Sequence, residues 1–558
     1  MTPIWQRQDD VRDAALPLAE TRSSALLEHR PCSSPRNLSR HWVASIAAFA
    51  LVFTVVGRAH AQSGPASPPQ AAPPAPDQAA PGQPPSSPPP VVQDAPARPV
   101  LESGGGAPAV SESAPVLVPN APPDTSGATQ NLRELRATPT AKGGPGDPAS
   151  VAAGPGGFGL ASADKQWQIR FRALVQADGR FWFDDKQRPE INTFLIRRAQ
   201  PFLEGKLPYG VSFLVNPDFG GGTTVLQDAY LGLDLCDGLR FRFGKFRPPF
   251  GLERLQPTSN LSFVEFGLPT LLTPNRDVGA MVHGDLFKGV FGYAGGVFNG
   301  VPDNGSADLA NDNQKEFNGR AYFRPFLLVP NEALGRLFVG GATTFGRHYG
   351  TPTNTSLTNP ASTPAYKTPG QINDFTYISA PSGTTATYAN TVVANGPHNR
   401  YGLFLYEALG PVSLLGEYYL SDQEVGRAGF ANVTLHNRAY QGQATFVLFG
   451  ANASYDYVHV NTPVEPAAGH FGALELAARV GHLDIDQAAF PNYASKTGSV
   501  HGATEVTLGT NWYWSDNAKF VINWDHTEFQ GGASTPAEVA IGHREAENII
   551  FLRAQVVY

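Results

Sequence analysis

The chain has 558 residues, of which 41% are hydrophobic and only 16% are charged, and its formal net charge is −7. A coiled coil needs far more Ala, Glu, Lys and Leu than this composition offers. A helical span needs about 20 apolar residues, and the one long apolar run, roughly Trp42–Gly57, falls short. Coiled coils and polytopic helical membrane proteins are therefore excluded, and the negative charge gives no bulk attraction for nucleic acid.

The first 61 residues have the three parts of a secretory signal peptide. Arg36 and Arg40 precede the apolar run Val43–Val56, and the small-x-small tripeptide Ala59-His60-Ala61 follows it. A positive region, an apolar region and a small-residue cleavage site in this order are typical of exported proteins. We expect cleavage after Ala61; the alternative interpretation is a single anchoring helix.

Residues 62–160 have the composition of an unstructured spacer. No aromatic residue occurs from Gln62 to Gly157, and 19 prolines fall between Pro65 and Pro123. Such a segment cannot bury enough apolar surface to offset the entropy of ordering it. We predict a disordered, Pro/Ala/Gly-rich periplasmic spacer. A G-x-G-x-x-G match at residues 154–159 follows no predicted strand, so we do not read it as a nucleotide site.

From Lys165 onward the hydrophobic pattern has a period of two. In the stretch 168–181, polar and apolar residues alternate strictly, which indicates a β-strand with one polar and one apolar face. The polar face reads Gln168, Arg170, Arg172, Leu174, Gln176, Asp178 and Arg180. A strand of about 14 residues, at about 3.3 Å per residue, suits a tilted membrane strand.

The same alternation recurs along the chain and predicts about 16 strands. They start near residues 168, 193, 210, 223, 239, 277, 290, 314, 334, 397, 411, 433, 471, 500, 517 and 545. Short turns alternate with long loops, of which the longest spans about 350–396. In lipid, strands satisfy all their backbone groups only in a closed barrel. We therefore predict an all-β fold, a transmembrane antiparallel β-barrel over residues 165–558 that ends on an outward Tyr558; a secreted soluble β-protein is the alternative.

Positive charge is concentrated in the first strands of this barrel. Residues 165–254 contain 14 Lys and Arg against 10 Asp and Glu, whereas residues 255–558 contain 16 against 25. Arg170, Arg172 and Arg180 lie on the polar face of the first strand. Strict alternation turns only one residue of the pair Arg197-Arg198 inward, unless a bulge intervenes. Guanidinium groups match phosphate oxygens, and rings of Arg and Lys select anions in pores; the alternative is that these are ordinary solvated lumen charges.

The sequence offers no pattern for catalysis or metal binding. It contains no G-x-S-x-G elbow and no H-E-x-x-H pair, and His482, His526 and His543 do not cluster at ligand spacing. We expect no catalytic residues, no metal and no cofactor. An outer-membrane enzyme or adhesin on a barrel, and a structural barrel that tethers the envelope through the spacer, remain as other classes of function.

Several short motifs resemble those of the phosphate-selective porin O/P family over about 390 residues. They are Phe194-Leu-Ile-Arg-Arg-Ala199, Gln227-Asp-Ala-Tyr230, Arg242-Phe-Gly-Lys-Phe246, Pro249-Phe-Gly-Leu-Glu-Arg254, Ala473-Leu-Glu-Leu-Ala-Ala-Arg479, Leu508-Gly-Thr-Asn-Trp-Tyr513 and Arg553-Ala-Gln555. The resemblance implies a trimeric, 16-stranded outer-membrane channel whose third loop, here roughly Pro248–Arg276, folds inward. It also implies that Arg197 and Arg198 line the pore and that Arg254 contributes to an anion site.

The sequence departs from the family pattern in the third loop. Phosphate channels of the family carry Glu-Arg late in this loop, where Glu265-Phe266 stands here. We therefore expect an anion-preferring diffusion channel in the outer membrane of a Gram-negative bacterium, with phosphate or polyphosphate as candidate solutes; a general porin without phosphate specificity is the alternative. The expected partners are inorganic anions, outer-membrane lipid, the barrel-assembly machinery and further copies in a homotrimer, and no nucleic acid. The candidate anion-binding residues are Arg170, Arg172, Arg180, Arg197, Arg198, Arg242, Arg254 and Arg276.

Overall fold

The computed structural model of the chain describes residues 149–558, except 155, 330–335 and 355. The predicted signal peptide and most of the predicted spacer lie outside the described residues. The strands are β1 Ser150–Gly154, β2 Gly157–Ala161, β3 Gln168–Trp182, β4 Thr193–Lys206, β5 Val211–Asp218, β6 Val225–Cys236, β7 Leu239–Phe246, β8 Asp277–Leu286, β9 Phe291–Phe298, β10 Glu316–Phe323, β11 Phe338–Tyr349, β12 Ala365–Lys367, β13 Asn373–Thr376, β14 Val393–Leu409, β15 Val412–Gly426, β16 Val433–Phe449, β17 Ala473–Asp484, β18 Val500–Ser515, β19 Ala518–Gly531 and β20 Glu547–Val557. A short helix, α1, spans Pro536–Ile541. None of the helices in the described part of the chain is long and apolar enough to cross a membrane.

Sixteen of these strands, β3–β11 and β14–β20, form one closed antiparallel barrel. Each strand pairs with its neighbour in sequence, and the last strand pairs with the first, from Ile549↔Trp182 to Val557↔Leu174. Closure removes the two sheet edges and pairs the backbone groups that lipid cannot satisfy. The predicted fold and strand number are confirmed, and the predicted strand starts fall within about five residues of those observed.

The strands expose their apolar faces and bury their polar faces, which is the reverse of the arrangement in a soluble protein. On β3, Phe171 and Val175 point outward and are about half exposed, whereas Arg170 and Arg172 point into the barrel and are buried. The same alternation runs the length of β16. An apolar exterior around a polar interior is the arrangement that a lipid environment requires.

A β-bulge turns both arginines of the β4 pair into the lumen. Gln176 of β3 pairs with Arg198, but the next residue, Ala177, pairs with Ile196, so Arg197 is an extra residue on β4. A bulge shifts the alternation by one position. Both Arg197 and Arg198 are consequently buried inside the barrel, as the family resemblance implied and as strict alternation alone forbids.

A hairpin at the start of the described chain corrects the predicted extent of the spacer. Strands β1 and β2 pair with each other, and β2 pairs with the first residues of β3. Gly157 has φ +97°, and a Cβ there would lie 2.3 Å from the carbonyl oxygen of Phe171. The expectation of disorder up to residue 160 is therefore wrong for residues 150–154 and 156–160, because β1 pairs with β2 and β2 pairs with β3. The glycines of the G-x-G-x-x-G match form this hairpin.

The C-terminal residue closes the barrel beside the same hairpin. The backbone of Tyr558 exchanges hydrogen bonds of 2.6 and 2.8 Å with Ala173 of β3, and its ring packs edge-to-face against Phe158 of β2 with the centroids 5.2 Å apart. Such aromatic pairs contribute about 0.5–1.5 kcal/mol beyond the area they bury.

We predict that deletion of Tyr558 lowers the yield of folded barrel, because it removes both the seam hydrogen bonds and the aromatic contact. The heat-modifiable shift in electrophoretic mobility measures the folded fraction. Tyr558→Phe keeps the ring and the backbone and is the control that should assemble normally. Equal folded fractions for the deletion and for the unmodified chain would contradict this role.

The loop between β7 and β8, residues 247–276, folds into the lumen, as predicted for the third loop; we call it the constriction loop. Its short 3₁₀ turn, Leu268–Leu272, packs against β15, β16 and β17 on the far side of the barrel. Phe250, Leu252 and Leu272 are fully buried in the resulting core. Burial of each such side chain contributes about 1.5–3 kcal/mol, which holds the loop across the pore.

A long connection at the end of the barrel opposite to the β7–β8 connection also contacts the constriction loop. We call the end that contains Tyr558 the turn end, and most of its connections are short. Residues 450–472 form a long one, however, in which the hydroxyl of Tyr455 donates to the carbonyl oxygen of Leu252 at 2.7 Å. The side chain of Gln256 donates in turn to the carbonyl oxygen of Tyr455 at 2.6 Å. The expectation of short connections at this end is wrong here, and the constriction loop is supported from the turn end as well as from the barrel wall.

Candidate functional site

Two of the predicted arginines hold the constriction loop through Glu265. Arg197 binds the Glu265 carboxylate in a bidentate manner, with Nε–Oε1 at 2.6 Å and Nη2–Oε2 at 3.2 Å, and Arg180 adds a contact from Nη2 to Oε1 at 2.9 Å. Burial alone would raise the pKa of Glu265, but the charges of Arg197 and Arg180 outweigh it and hold this pKa well below its usual range. Glu265 therefore stays ionised and offsets part of the positive charge of both arginines.

The ring of the next residue, Phe266, lies close to two other guanidinium groups. The central carbon of Arg254 is 4.9 Å and that of Arg247 is 5.5 Å from the centre of the Phe266 ring. Within the described residues, no carboxylate lies within 4.0 Å of either guanidinium. The polar partners of Arg254 are neutral: Thr273 Oγ1 at 2.9 Å, the carbonyl oxygen of Thr270 at 2.5 Å and Asn304 Oδ1 at 2.7 Å. The positive charge of Arg247 and Arg254 is therefore not offset by a directly bonded carboxylate.

Arg247 also has buried N–H groups for which no described residue is an acceptor. It lies just after β7, and its Nη1 donates to the carbonyl oxygen of Gln256 at 3.3 Å. Its Nε and Nη2 are buried, and no described residue accepts from them. Burial lowers the pKa of Arg247 well below its ordinary value, and the charges of Arg276 and Arg254 lower it further. Buried N–H groups without an acceptor favour a bound anion, and so do several positive charges that lie close together.

Two more predicted residues complete this group. Arg276, at the end of the constriction loop, lies 3.5 Å from Asp228 Oδ2 through Nε, and its Nη2 is buried with no described acceptor. Arg198 donates from Nη1 to the neutral Gln176 Oε1 at 2.5 Å. We call Arg198, Arg247, Arg254 and Arg276 the arginine cluster. Sequence reasoning missed Arg247, although it directly follows the motif that ends at Phe246.

Five predicted residues lie outside the arginine cluster: Arg180 and Arg197, which bind Glu265, and Arg170, Arg172 and Arg242. Arg172 makes a bidentate contact with Glu204, at 2.9 and 3.2 Å, and Arg170 lies 3.9 Å from the same carboxylate. Eight strand residues separate Arg172 from Arg180, which is about 26 Å along β3. The guanidinium of Arg242 stacks over the rings of Tyr230 and Phe246. Since salt screens charges beyond about 8–10 Å, we assign Arg170 and Arg172 little influence on the constriction.

A narrow cavity separates the constriction loop from the long loop between β11 and β14. Its volume is about 30 Å³, room for one or two water molecules. Arg197, Arg254, Phe266 and Asn304 line one side, and Lys367 of β12 lines the other. Burial and the charges of Arg197 and Arg180 lower the pKa of Lys367, so this lysine lies within the positive potential of these two arginines. Sequence reasoning missed Lys367, which lies in a loop 91 positions beyond Arg276, the last of the predicted arginines.

Carboxylates meet the constriction loop on its opposite side. Glu417 Oε1 of β15 accepts from the backbone N–H groups of Leu252 and Glu253, at 2.7 and 2.8 Å. Glu253 in turn binds Gln441 of β16 at 3.0 Å and Arg479 of β17 at 3.3 Å. Glu253 and Glu417 therefore lie where the constriction loop contacts β15–β17. Arg197 and Arg198, at the bulge of β4, lie beside the Glu265-Phe266 segment of the loop.

Comparison with known proteins identifies the family. Residues 168–558 match the family described as phosphate-selective porin O and P, and the chain belongs to this family. Among curated proteins there is no match to this chain. Similar solved structures include OmpT of Vibrio cholerae (12% identity, 70% of this chain and 98% of that chain, TM-score 0.44) and an anion-selective porin from Comamonas acidovorans (12%, 70% and 100%, 0.41). The outer-membrane channel DcaP of Acinetobacter baumannii is similar at 10% identity over 70% of this chain and 97% of that chain, with a TM-score of 0.44.

The family match, together with the closed 16-stranded barrel, indicates an outer-membrane channel rather than an enzyme. It assigns no role to any single side chain.

Proposed function

We propose that this barrel is an anion-preferring diffusion channel whose selectivity is set by the arginine cluster. The observation that carries the proposal is the pair Arg247 and Arg254, whose guanidinium groups both lie within 5.5 Å of the centre of the Phe266 ring. Their hydrogen-bond partners among the described residues are neutral, and two buried N–H groups of Arg247 are left for a passing anion. Cations fixed at the narrowest region of a pore attract anions there, and low-dielectric walls strengthen their field.

Phosphate and polyphosphate are the solutes that this site would favour among small anions. A planar guanidinium presents paired N–H donors to the oxygens of a phosphate, whereas chloride takes one contact at a time. Phe266 stands where a basic residue would add another contact, and we therefore expect millimolar rather than tighter binding of phosphate.

A general porin without phosphate specificity is the second candidate, and the salt bridges favour it. Arg172, Arg180 and Arg197 each bind a carboxylate directly. If the same pairing dominates the field in the pore, chloride and phosphate pass with similar ease and added phosphate leaves the chloride current unchanged.

Substitution of single arginines tests the proposal. We expect Arg254→Ala and Arg198→Ala each to lower the anion-to-cation permeability ratio about two- to fivefold, because one unit charge about 4 Å from an ion in water changes its energy by up to about 1 kcal/mol. Zero-current potentials across planar bilayers measure the ratio. Arg347→Ala removes the same charge from an exposed position on β11 and is the matched control. Equal shifts in all three variants would contradict a local site.

We also propose the route and assembly of the channel. The signal peptide, residues 1–61, directs export, and the barrel-assembly machinery inserts the barrel through its aromatic last strand, with outer-membrane lipid around the apolar face. The channel forms a homotrimer. The family match and the apolar exterior support this proposal.

A further inference from the structure

Two buried histidines meet a glutamate in the half of the lumen away from the turn end. Glu316 begins β10, His348 lies near the end of β11, and His398 lies on β14, so three adjacent strands contribute one residue each. All three side chains are almost fully buried. One nitrogen or oxygen atom from each lies within 4.8 Å of the others, and His348 Nε2 is 3.3 Å from Glu316 Oε2.

We propose that Glu316, His348 and His398 form a binding site for a divalent transition-metal ion, for which zinc is the best fit. Two imidazoles and one carboxylate are a ligand set that zinc accepts, with a water molecule as the fourth ligand. With ligand bonds of about 2.0–2.1 Å, two ligands of a tetrahedral ion lie roughly 3.3 Å apart. The spacing of His348 and Glu316 meets this value, and the 4.8 Å limit leaves the third ligand within a small side-chain movement.

One possible ligand atom of His398 and one of Glu316 are held by partners outside the proposed site. Nε2 of His398 lies 3.1 Å from both Asp303 Oδ1 and Ser421 Oγ, so Nδ1 is the ring atom left for the metal. Nη2 of Arg400 lies 3.5 Å from this Nδ1 and has to move aside when the ion binds. Oε1 of Glu316 accepts from Asn318 at 3.2 Å, and Oε2 points to His348. A histidine whose second nitrogen binds a carboxylate is the usual arrangement around bound zinc, because the carboxylate fixes the ring and its tautomer.

The charge of the surroundings limits how tightly an ion can bind. Arg400 binds Asp303 Oδ1 at 2.6 Å and Glu316 Oε2 at 2.9 Å. The two carboxylates and the one guanidinium sum to a net charge of about −1, which favours a cation. Arg400 shares Oε2 of Glu316 with the metal, however, so the ion must compete with it. We therefore expect micromolar rather than nanomolar affinity.

Calorimetric titration of the detergent-extracted, chelator-treated full chain with zinc chloride tests the site. We expect one ion per chain at micromolar zinc, and at least tenfold weaker binding in His348→Ala and His398→Ala. His436→Ala removes an exposed histidine that binds Asp422 on the barrel exterior. This control should bind zinc as the unmodified chain does. Heat-modifiable mobility confirms that each variant is folded.

X-ray absorption at the zinc edge on the unmodified chain provides a second measurement that does not depend on the variants. The site predicts two imidazole nitrogens in the first coordination shell, with ligand bonds of about 2.0–2.1 Å. Absence of zinc binding in the unmodified chain, an all-oxygen shell, or loss of binding in His436→Ala would each overturn the proposal. Because these readouts do not involve ion currents, they are independent of whether the channel prefers anions.

Discussion

Replacement of Glu265 by glutamine should strengthen block of the chloride current by phosphate about tenfold or more. Glu265 binds Arg197 and Arg180 directly, so its charge offsets both guanidiniums at the edge of the arginine cluster. Glutamine keeps the size of the side chain but removes the charge. The released N–H groups can then contact the anion, and a hydrogen bond to a charged group contributes about 1.5–3 kcal/mol. The phosphate concentration that halves single-channel chloride conductance is the quantity to measure.

Two comparisons separate this effect from damage to the loop. Glu204→Gln makes the same chemical change at a lumen carboxylate that also binds two arginines, but does so far from the constriction loop. We expect phosphate block there to stay within about twofold. If the loop moved in Glu265→Gln, chloride conductance without phosphate would rise and block would fall. Unchanged or weaker block at unchanged conductance would contradict the role assigned to Glu265.

The substitution Phe266→Arg should also strengthen phosphate block about tenfold. The ring of Phe266 contacts both Arg247 and Arg254, so an arginine in its place adds a third guanidinium where two already lack a bonded carboxylate. The added repulsion between cations is relieved when phosphate binds, which makes binding more favourable. Half-blocking phosphate concentrations, compared at equal chloride, measure the change.

Phe266→Leu is the matched control for this prediction. It keeps an apolar side chain and removes the aromatic face, whose attraction for each guanidinium is about 0.5–2 kcal/mol. It adds no charge, so we expect phosphate block close to that of the unmodified channel. Equal block in Phe266→Arg and Phe266→Leu would mean that position 266 does not face the anion path.

The barrel itself was predictable from the sequence because lipid imposes a simple pattern. Each strand must be apolar on one face, so the period of two is visible strand by strand, and closure follows from the need to pair every edge. The hairpin β1–β2 was missed for the opposite reason. It contains a single aromatic residue, Phe158, and what orders it is largely the backbone pairing of β1 with β2 and of β2 with β3, which leaves no trace in composition.

The candidate site was only partly predictable. The family motifs contain Arg198 and Arg254, and Arg276 was the predicted end of the third loop, but the alternation of β3 alone cannot tell that Arg172 lies about 26 Å from Arg180 along the strand and far from the constriction loop. Whether a lumen arginine is neutralised depends on carboxylates distant in sequence, such as Glu265 for Arg180. The histidine pair was missed because His348 and His398 are 50 residues apart, and the register of β11 with β14 places them diagonally across the two strands.

Ion selectivity of the unmodified channel tests the central claim most directly. Residues 165–558 carry 30 basic and 35 acidic side chains, so total charge alone predicts a preference for cations. The local field of the arginine cluster predicts the reverse, because salt screens distant carboxylates over about 8–10 Å. In a gradient of potassium chloride across a planar bilayer, we expect the sign of the zero-current potential to show that chloride permeates better than potassium. A potential of the opposite sign would mean that the acidic wall, and not the arginine cluster, controls the constriction.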